Sequence, residues 1–156
     1  MLYLIRSFGR GGKSYLKVGY SDSLGNRMGQ YRIHNPLFEL IATREGSQED
    51  ELLIHLYLEA LGYKVDILNE WFMDTPEILS RFHDNIQSKV LRKVWRNRES
   101  LFTIADFNNP LRKKIFERLR STFGKSRKYS IDREWAFADS REKLKKVKNL
   151  DIDLLL

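Results

Sequence analysis

The chain has 156 residues, with 28 Lys plus Arg against 21 Asp plus Glu and a formal net charge of +7. That length allows one ordinary domain or a small domain with an extension, and a hydrophobic content of 42% allows a packed core and excludes wholesale disorder. Cysteine is absent, which excludes a disulfide framework, a thiolate nucleophile and a cysteine-based zinc finger, and no stretch approaches the roughly 18 apolar residues of a membrane span.

In chain order, Met1 to Arg6 and Ser14 to Tyr20 read as two strands joined by a turn containing Gly9, Gly11 and Gly12, the pattern of a hairpin. Alternation puts Tyr15, Lys17 and Gly19 on one face and Leu16, Val18 and Tyr20 on the other. A hairpin symmetric about residue 10 brings Tyr3 opposite Lys17. Ser21 or Asp22 caps a helix running to about His34, on which Arg27 and Tyr31 share a face, and Asn35-Pro36 ends it. Leu37 to Thr43 reads as a third strand. Ser47 and Asp50 form a capping box for a helix that runs to about Leu61 and stops at Gly62, with Leu53, Ile54, Tyr57, Leu58 and Leu61 at helical spacing and Glu51 and His55 one turn apart.

From Thr75 the pattern is helical. Apolar Ile86, Val90, Leu91, Val94 and Trp95 alternate with Lys89, Arg92, Lys93 and Arg96, and a further helix starts at Asn109-Pro110 and carries Arg112 and Lys113. Gly124 to Ser130 is a basic linker-like stretch with Lys125, Arg127 and Lys128, and a last helical piece is expected around Ser140 to Asn149, before an apolar tail, Leu154 to Leu156, expected to pack back onto the protein. The net charge is divided along the chain: residues 1 to 85 carry −3, residues 86 to 150 carry +12, and the last six carry −2. A contrast of that size marks the second half as the part that meets a polyanion.

Tyr3 within Met1-Leu2-Tyr3, Lys17-Val18-Gly19, Arg27, Glu51-Leu52-Leu53-Ile54-His55 and Glu70-Trp71-Phe72 occur in that order on these elements. The set resembles the GIY-YIG nuclease superfamily, in its phage and bacterial sub-branch with a KxG second motif, an ExxxH helix and an EWF motif. The first tripeptide lacks the leading glycine and isoleucine, Lys17 stands in place of the second tyrosine, and Tyr31 stands where histidine is frequent. The resemblance implies an α/β nuclease domain over residues 1–80, with a three-stranded antiparallel sheet flanked by helices. Residues 81–156 would then form a helical, basic, nucleic-acid-binding extension. The apolar run Met1 to Ile5, broken by Arg6, is too short for a signal-peptide core, and with no membrane span a cytoplasmic setting is expected, in a bacterial cell or a phage-infected host.

Phosphodiester hydrolysis needs an activated water, charge stabilisation at the phosphoryl oxygens and protonation of the leaving oxygen. On this basis Glu51 is the expected ligand of Mg²⁺ (Mn²⁺ possible), since one carboxylate with several waters commonly holds that ion. Arg27 is the expected phosphate clamp, because its planar fork stays charged. Tyr3 is the expected general base, with a proton affinity lowered by Lys17, Arg27 and the metal. Tyr31 and His55 complete the expected catalytic set as phosphate-binding or orienting groups. Trp71 and Phe72 are expected as core anchors, Glu70 as structural, and His34 and His83 as bystanders. Lys89, Arg92, Lys93, Arg96, Arg112, Lys113, Lys125, Arg127 and Lys128 are the expected contacts to nucleic acid, foremost double-stranded DNA, with Trp95, Tyr129 and Trp135 as stacking candidates. No membrane or obligate protein partner is expected. The alternative is a non-catalytic nucleic-acid-binding protein on a degenerate nuclease domain, and a further one is an interaction protein whose basic helices bind an acidic partner or ribosomal RNA.

Overall fold

Strands β1 (Leu2–Phe8) and β2 (Ser14–Tyr20) form the hairpin that the clustered glycines predict, closed by a 3-10 turn at Arg10–Gly12. This computed structural model describes residues 1–65, 70–83 and 88–124. The hairpin register differs by one step from a turn centred on residue 10: Tyr3 pairs with Gly19, and Lys17 pairs with Ile5. Tyr3 and Lys17 therefore share a face as diagonal neighbours and are not directly opposed. The shift has a steric consequence. The Tyr3 ring lies across Gly19, where an added Cβ would sit 2.3 Å from both Cζ and the hydroxyl oxygen, so only glycine admits the ring.

Helix α1 (Leu24–His34) follows, starting after Ser23 and not after the expected Ser21 or Asp22; Ser21 instead accepts the Ser23 amide at its hydroxyl. Strand β3 spans Glu39–Arg44, two residues later at its start than the apolar run suggested. Helix α2 (Gln48–Ala60) carries the predicted capping box of Ser47 and Asp50, and Gly62, at φ +82, takes the left-handed conformation that ends such a helix. The sheet has four strands, in the order β3-β1-β2-β4 and antiparallel throughout. Its fourth member is β4 (Trp71–Met73), two of whose three residues come from the EWF motif. Three residues are too few to show strand alternation, which hides this edge from pattern reading.

Alternation sorts the sheet into two faces. Leu2, Leu4, Leu16, Val18 and Phe72 pack with Ile54 and Leu58 of α2 and with Ile78 and Phe82 of α3 (Pro76–His83). On the other face Tyr3 and Ile5 pack with Met28 of α1, flanked by half-buried Tyr31, Phe38 and Trp71. Each fully buried side chain of this size contributes about 1.5–3 kcal/mol, so the main core lies under α2. Asp74, just after β4, ties that short strand in: its carboxylate accepts from Arg6 Nε on β1 and from Ser14 Oγ on β2, both at 2.6 Å. Burial alone would raise the Asp74 pKa, but Arg6 and Ser14 outweigh it and hold the carboxyl below its usual range.

Helix α4 (Ser88–Arg96) packs on α2, with Val90, Leu91 and Val94 buried and Lys89, Arg92 and Arg96 exposed. The short helix α5 (Arg98–Leu101) closes a first compact unit, Met1–Leu101. Residue 80 therefore falls inside α3, and Phe82 beyond it is fully buried in the same core as Leu4. A second unit begins at Phe102. In it, Asn109 accepts the Leu111 and Arg112 amides at the start of α6 (Pro110–Phe123), as the Asn-Pro signal predicts. The Phe116 ring meets Phe102 and Phe107 edge-on. Lys125, Arg127, Lys128, Tyr129, Trp135, the expected helix around Ser140 to Asn149 and the apolar tail lie outside the described residues.

The close approach of Tyr3 and Gly19 gives a test of this register. Gly19→Ala is expected to cost about 1–3 kcal/mol through overpacking, and the cost should disappear when Tyr3→Leu is introduced alongside, because leucine lacks the clashing ring atoms. Urea unfolding of the four proteins in this double-mutant cycle measures the coupling; an alanine cost of equal size in both backgrounds contradicts the geometry.

Candidate active site

Beside the carboxyl end of β2 lies a cavity of about 490 Å³, lined by Tyr3, Lys17, Arg27, Tyr31, Glu51 and Glu70, together with Tyr20, Ser21, Asp22, Ser23 and Gln48. Five of the six expected catalytic residues thus meet in one place, carried by β1, β2, α1 and α2. The α1 pair does share a face: Arg27 and Tyr31 both line the cavity. The Tyr31 hydroxyl lies 3.2 Å from that of Tyr3, and the two rings meet edge-on at 6.1 Å. The capping box separates neighbouring acids on α2. Asp50 is committed to the Ser47 amide at 2.7 Å, whereas Glu51 reaches the strand end and accepts the Tyr20 amide at 3.1 Å.

His55 is placed elsewhere. It does not line the cavity; its Nε2 donates to the Val18 carbonyl oxygen at 2.8 Å and its ring packs 5.4 Å from that of Phe72. Glu70, which sequence reading took as structural, belongs to the site: its carboxylate pairs with Lys17 at 2.5 Å. Trp71 packs against the Tyr3, Ile5 and Met28 cluster, as expected of a core anchor, and also stands beside Lys17, its ring centroid 5.7 Å from the ammonium. Tyr20, Ser21, Asp22, Ser23 and Gln48 were also not singled out, and only the fold brings them to the same opening. Adjacency to Lys17 across β2 and β4, where Lys17 pairs with Trp71, is the signal that would have found Glu70, and it requires knowing that β4 exists.

Burial opposes charge in this cavity. The Tyr3 residue is 2% exposed, and burial, followed by the hydrogen bond to Tyr31, pushes its hydroxyl well above the ordinary tyrosine range; Arg27 pulls it down and Glu51 pushes it up. This reverses the expected lowering, because desolvation of a phenolate outweighs the one nearby cation that acts on it. Burial likewise raises Glu51, opposed by the Tyr20 amide and reinforced by Glu70. For Lys17, burial works against the charge, but the Glu70 carboxylate and Tyr31 more than compensate and the ammonium is held charged. Glu70 is lowered, first by its bond to Lys17.

Among the described residues no three His, Cys, Asp or Glu side chains gather into a metal cage. Of the three carboxylates that line the cavity, Asp22 is bonded to the Tyr20 hydroxyl and Glu70 to Lys17, so the ligand on offer is Glu51, with an unfavourable burial and a single backbone donor, which fits a divalent ion held mostly by water. Because the folded state holds the Glu51 proton more tightly than the unfolded chain, stability declines as pH rises through the window just above the ordinary carboxylate range. Glu51→Gln keeps the acceptor for Tyr20 and removes the charge. In chelator at pH 7 the variant is expected to melt above the wild type, with the gap closing near pH 4, and added Mg²⁺ should raise the Tm of the wild type alone; a variant that melts lower at pH 7 contradicts this balance.

Among the basic candidates, Lys89, Arg92 and Arg96 form an exposed stripe on α4 with Lys93 at its margin, and Lys113 is exposed on α6. Arg112 is ion-paired with Asp106 at 3.2 Å. Trp95 carries the Arg98 guanidinium over its ring at 4.2 Å. Among the described residues no helix is long and apolar enough to cross a membrane.

No curated protein and no solved structure matches the chain. A family model does: the T5orf172 domain, over residues 1–95, which takes in the whole cavity and the α4 stripe up to its last turn. By this match the chain belongs to the T5orf172 domain family, part of a superfamily of GIY-YIG-like and homing-endonuclease-like proteins.

Proposed function

We propose that the protein is a metal-dependent endonuclease that hydrolyses phosphodiester bonds in DNA. The observation that carries this reading is the convergence of Tyr3, Lys17, Arg27, Tyr31 and Glu51 on one polar cavity, within a chain of a nuclease-like family. Arg27 offers its fork to the two non-bridging oxygens of the phosphate and stabilises the charge that grows there. Lys17 adds a second, fixed positive charge. Tyr3 would take the proton of the attacking water as its phenolate, its own proton having first passed to solvent, with the phenol oxygen oriented by Tyr31. Glu51 would hold the divalent ion, which when bound supplies charge neutralisation at the phosphoryl and leaving oxygens. Neutralising Glu51 also removes one of the influences that keep Tyr3 protonated. His55, bonded to the Val18 carbonyl oxygen, supports β2 at the point where that strand delivers Lys17, and we assign it an orienting part in place of a direct role at the phosphate.

A second reading, nucleic-acid binding without cleavage, is favoured by one observation: burial holds Tyr3 protonated. Plasmid nicking in Mg²⁺ or Mn²⁺ separates the two. The wild type is expected to nick, and Tyr3→Phe, Arg27→Ala and Glu51→Gln should each lose about 100-fold or more. Absence of nicking by a folded wild type that binds DNA supports the second reading, and activity that survives all three substitutions removes the cavity from the mechanism.

DNA affinity is assigned to the basic helices. The α4 stripe of Lys89, Arg92 and Arg96, with Lys113 of α6 and the basic stretch from Lys125 to Lys128, would neutralise backbone phosphates. Replacing Lys89, Arg92 and Arg96 together by alanine is expected to weaken duplex binding irrespective of sequence and to reduce the slope of log K against log salt by about 0.9 for each phosphate no longer neutralised. An unchanged slope in fluorescence-anisotropy titrations places the DNA on another surface.

A further inference from the structure

Lys17 is held more closely than a strand lysine usually is. Its side chain is 17% exposed, its ammonium lies 5.7 Å from the ring centroids of both Tyr31 and Trp71, and the Glu70 carboxylate lies 2.5 Å from it. Two rings and one carboxylate thus locate a four-carbon side chain that is otherwise free to rotate. The backbone that delivers Glu70 and Trp71 is fixed as well. Trp71 pairs with Lys17 across β2 and β4, and on the outer side of β4 the Val65 amide donates to the Trp71 carbonyl and the Met73 amide to that of Tyr63. Glu70 is therefore the residue at the entry of a strand pinned on both edges, aimed at the ammonium opposite.

We propose that Glu70 is a positioning residue of this site: with Trp71 as the wall of the same clamp, its carboxylate holds the Lys17 ammonium over the Tyr31 ring and directed into the cavity, where it meets the phosphate. This deepens the nuclease reading and rests on it for the catalytic consequence, while the clamp itself is a property of the free protein. Glu70 does not touch the reacting atoms. It acts through Lys17, and its effect falls on how often the ammonium stands in the productive place, which alters the rate of the chemical step more than the strength of substrate binding. The carboxylate also offsets the burial that would otherwise favour a neutral amine. The other groups acting on Lys17 are the Tyr31 hydroxyl on α1 and the Glu51 carboxylate on α2, and Arg27 lines the same cavity; all three remain when Glu70 is replaced, and Glu51 loses the upward push that Glu70 gives it.

The test uses the full chain with Glu70→Gln, which keeps the shape and removes the charge, and Glu70→Asp, which keeps the charge on a shorter arm. Two readouts are taken. Carbon-13 NMR of labelled lysine follows the titration of Lys17, whose signal is identified by its loss in Lys17→Arg. Nicking in Mg²⁺ gives kcat and KM. The Lys17 titration is expected to move to lower pH in Glu70→Gln, with kcat lower by about 10-fold or more and KM within about two-fold, and Glu70→Asp should recover part of both. A Lys17 titration that is the same in wild type and Glu70→Gln overturns the proposal, whatever happens to the rate. So does a shifted titration with unchanged kcat. If Glu70→Gln does not fold, as judged by circular dichroism, the comparison is made with Glu70→Asp, where wild-type values for both readouts overturn the proposal. A wild type that does not nick removes the nuclease reading alone, and the Lys17 titration then decides whether the clamp exists.

Discussion

The structure depends on one close approach, that of the Tyr3 ring over Gly19. β1 and β2 pair so that these two residues face each other, and the ring occupies the space in which any side chain at position 19 would stand. The same register places Lys17 diagonally from Tyr3 and directly opposite Ile5. Both side chains therefore rise from one face of the hairpin, while Leu16 and Val18, on either side of Lys17, drop into the core under α2. The glycine of the Lys-Val-Gly tripeptide thus has a steric reason, and the lysine an electrostatic one that needs Glu70, the residue just before β4.

That partnership links fold to chemistry. The apolar core lies mainly on the α2 face of the sheet, and the opposite face, covered by α1, is built from Tyr3, Ile5, Met28 and half-buried aromatic residues. The cavity forms where this second face runs out at the end of β2, so that Arg27 and Tyr31 reach it from α1 and Glu51 reaches it from the first turn of α2. The energetic cost of the arrangement is visible in the raised Tyr3 and Glu51, two acids whose charged forms are disfavoured by burial. In the proposed reading a divalent ion would offset the burial that raises Glu51, and Arg27 and Lys17 would meet the single charge of a phosphodiester.

Most of the fold was legible in the sequence because its signals are local. Clustered glycines marked the hairpin, Ser47 and Asp50 the start of α2, Gly62 its end, and Asn109-Pro110 the start of α6. The features that escaped are those set by longer-range pairing. The hairpin register follows from a 3-10 turn whose geometry composition does not specify, so Tyr3 was set against Lys17 and not Gly19. β4 is too short to show a period, so Glu70 was not seen to face Lys17. His55 shares a helix face with Glu51 by spacing, yet where α2 packs on β2 its ring meets the Val18 carbonyl. Likewise, the effect of burial on Tyr3 depends on how many atoms surround the ring, which no motif records.

Tyr3, Lys17, Arg27 and Glu51 are proposed to act on a single phosphate. A crystal structure of the full chain with Mn²⁺ and a short DNA duplex tests this most directly, because the metal is identified by its anomalous signal. Mn²⁺ is expected on Glu51, with one phosphate of the duplex within hydrogen-bonding distance of both Arg27 and Lys17 and a water between that phosphate and Tyr3. Manganese bound away from Glu51, or a duplex seated on the basic helices with no phosphate in the cavity, would contradict it.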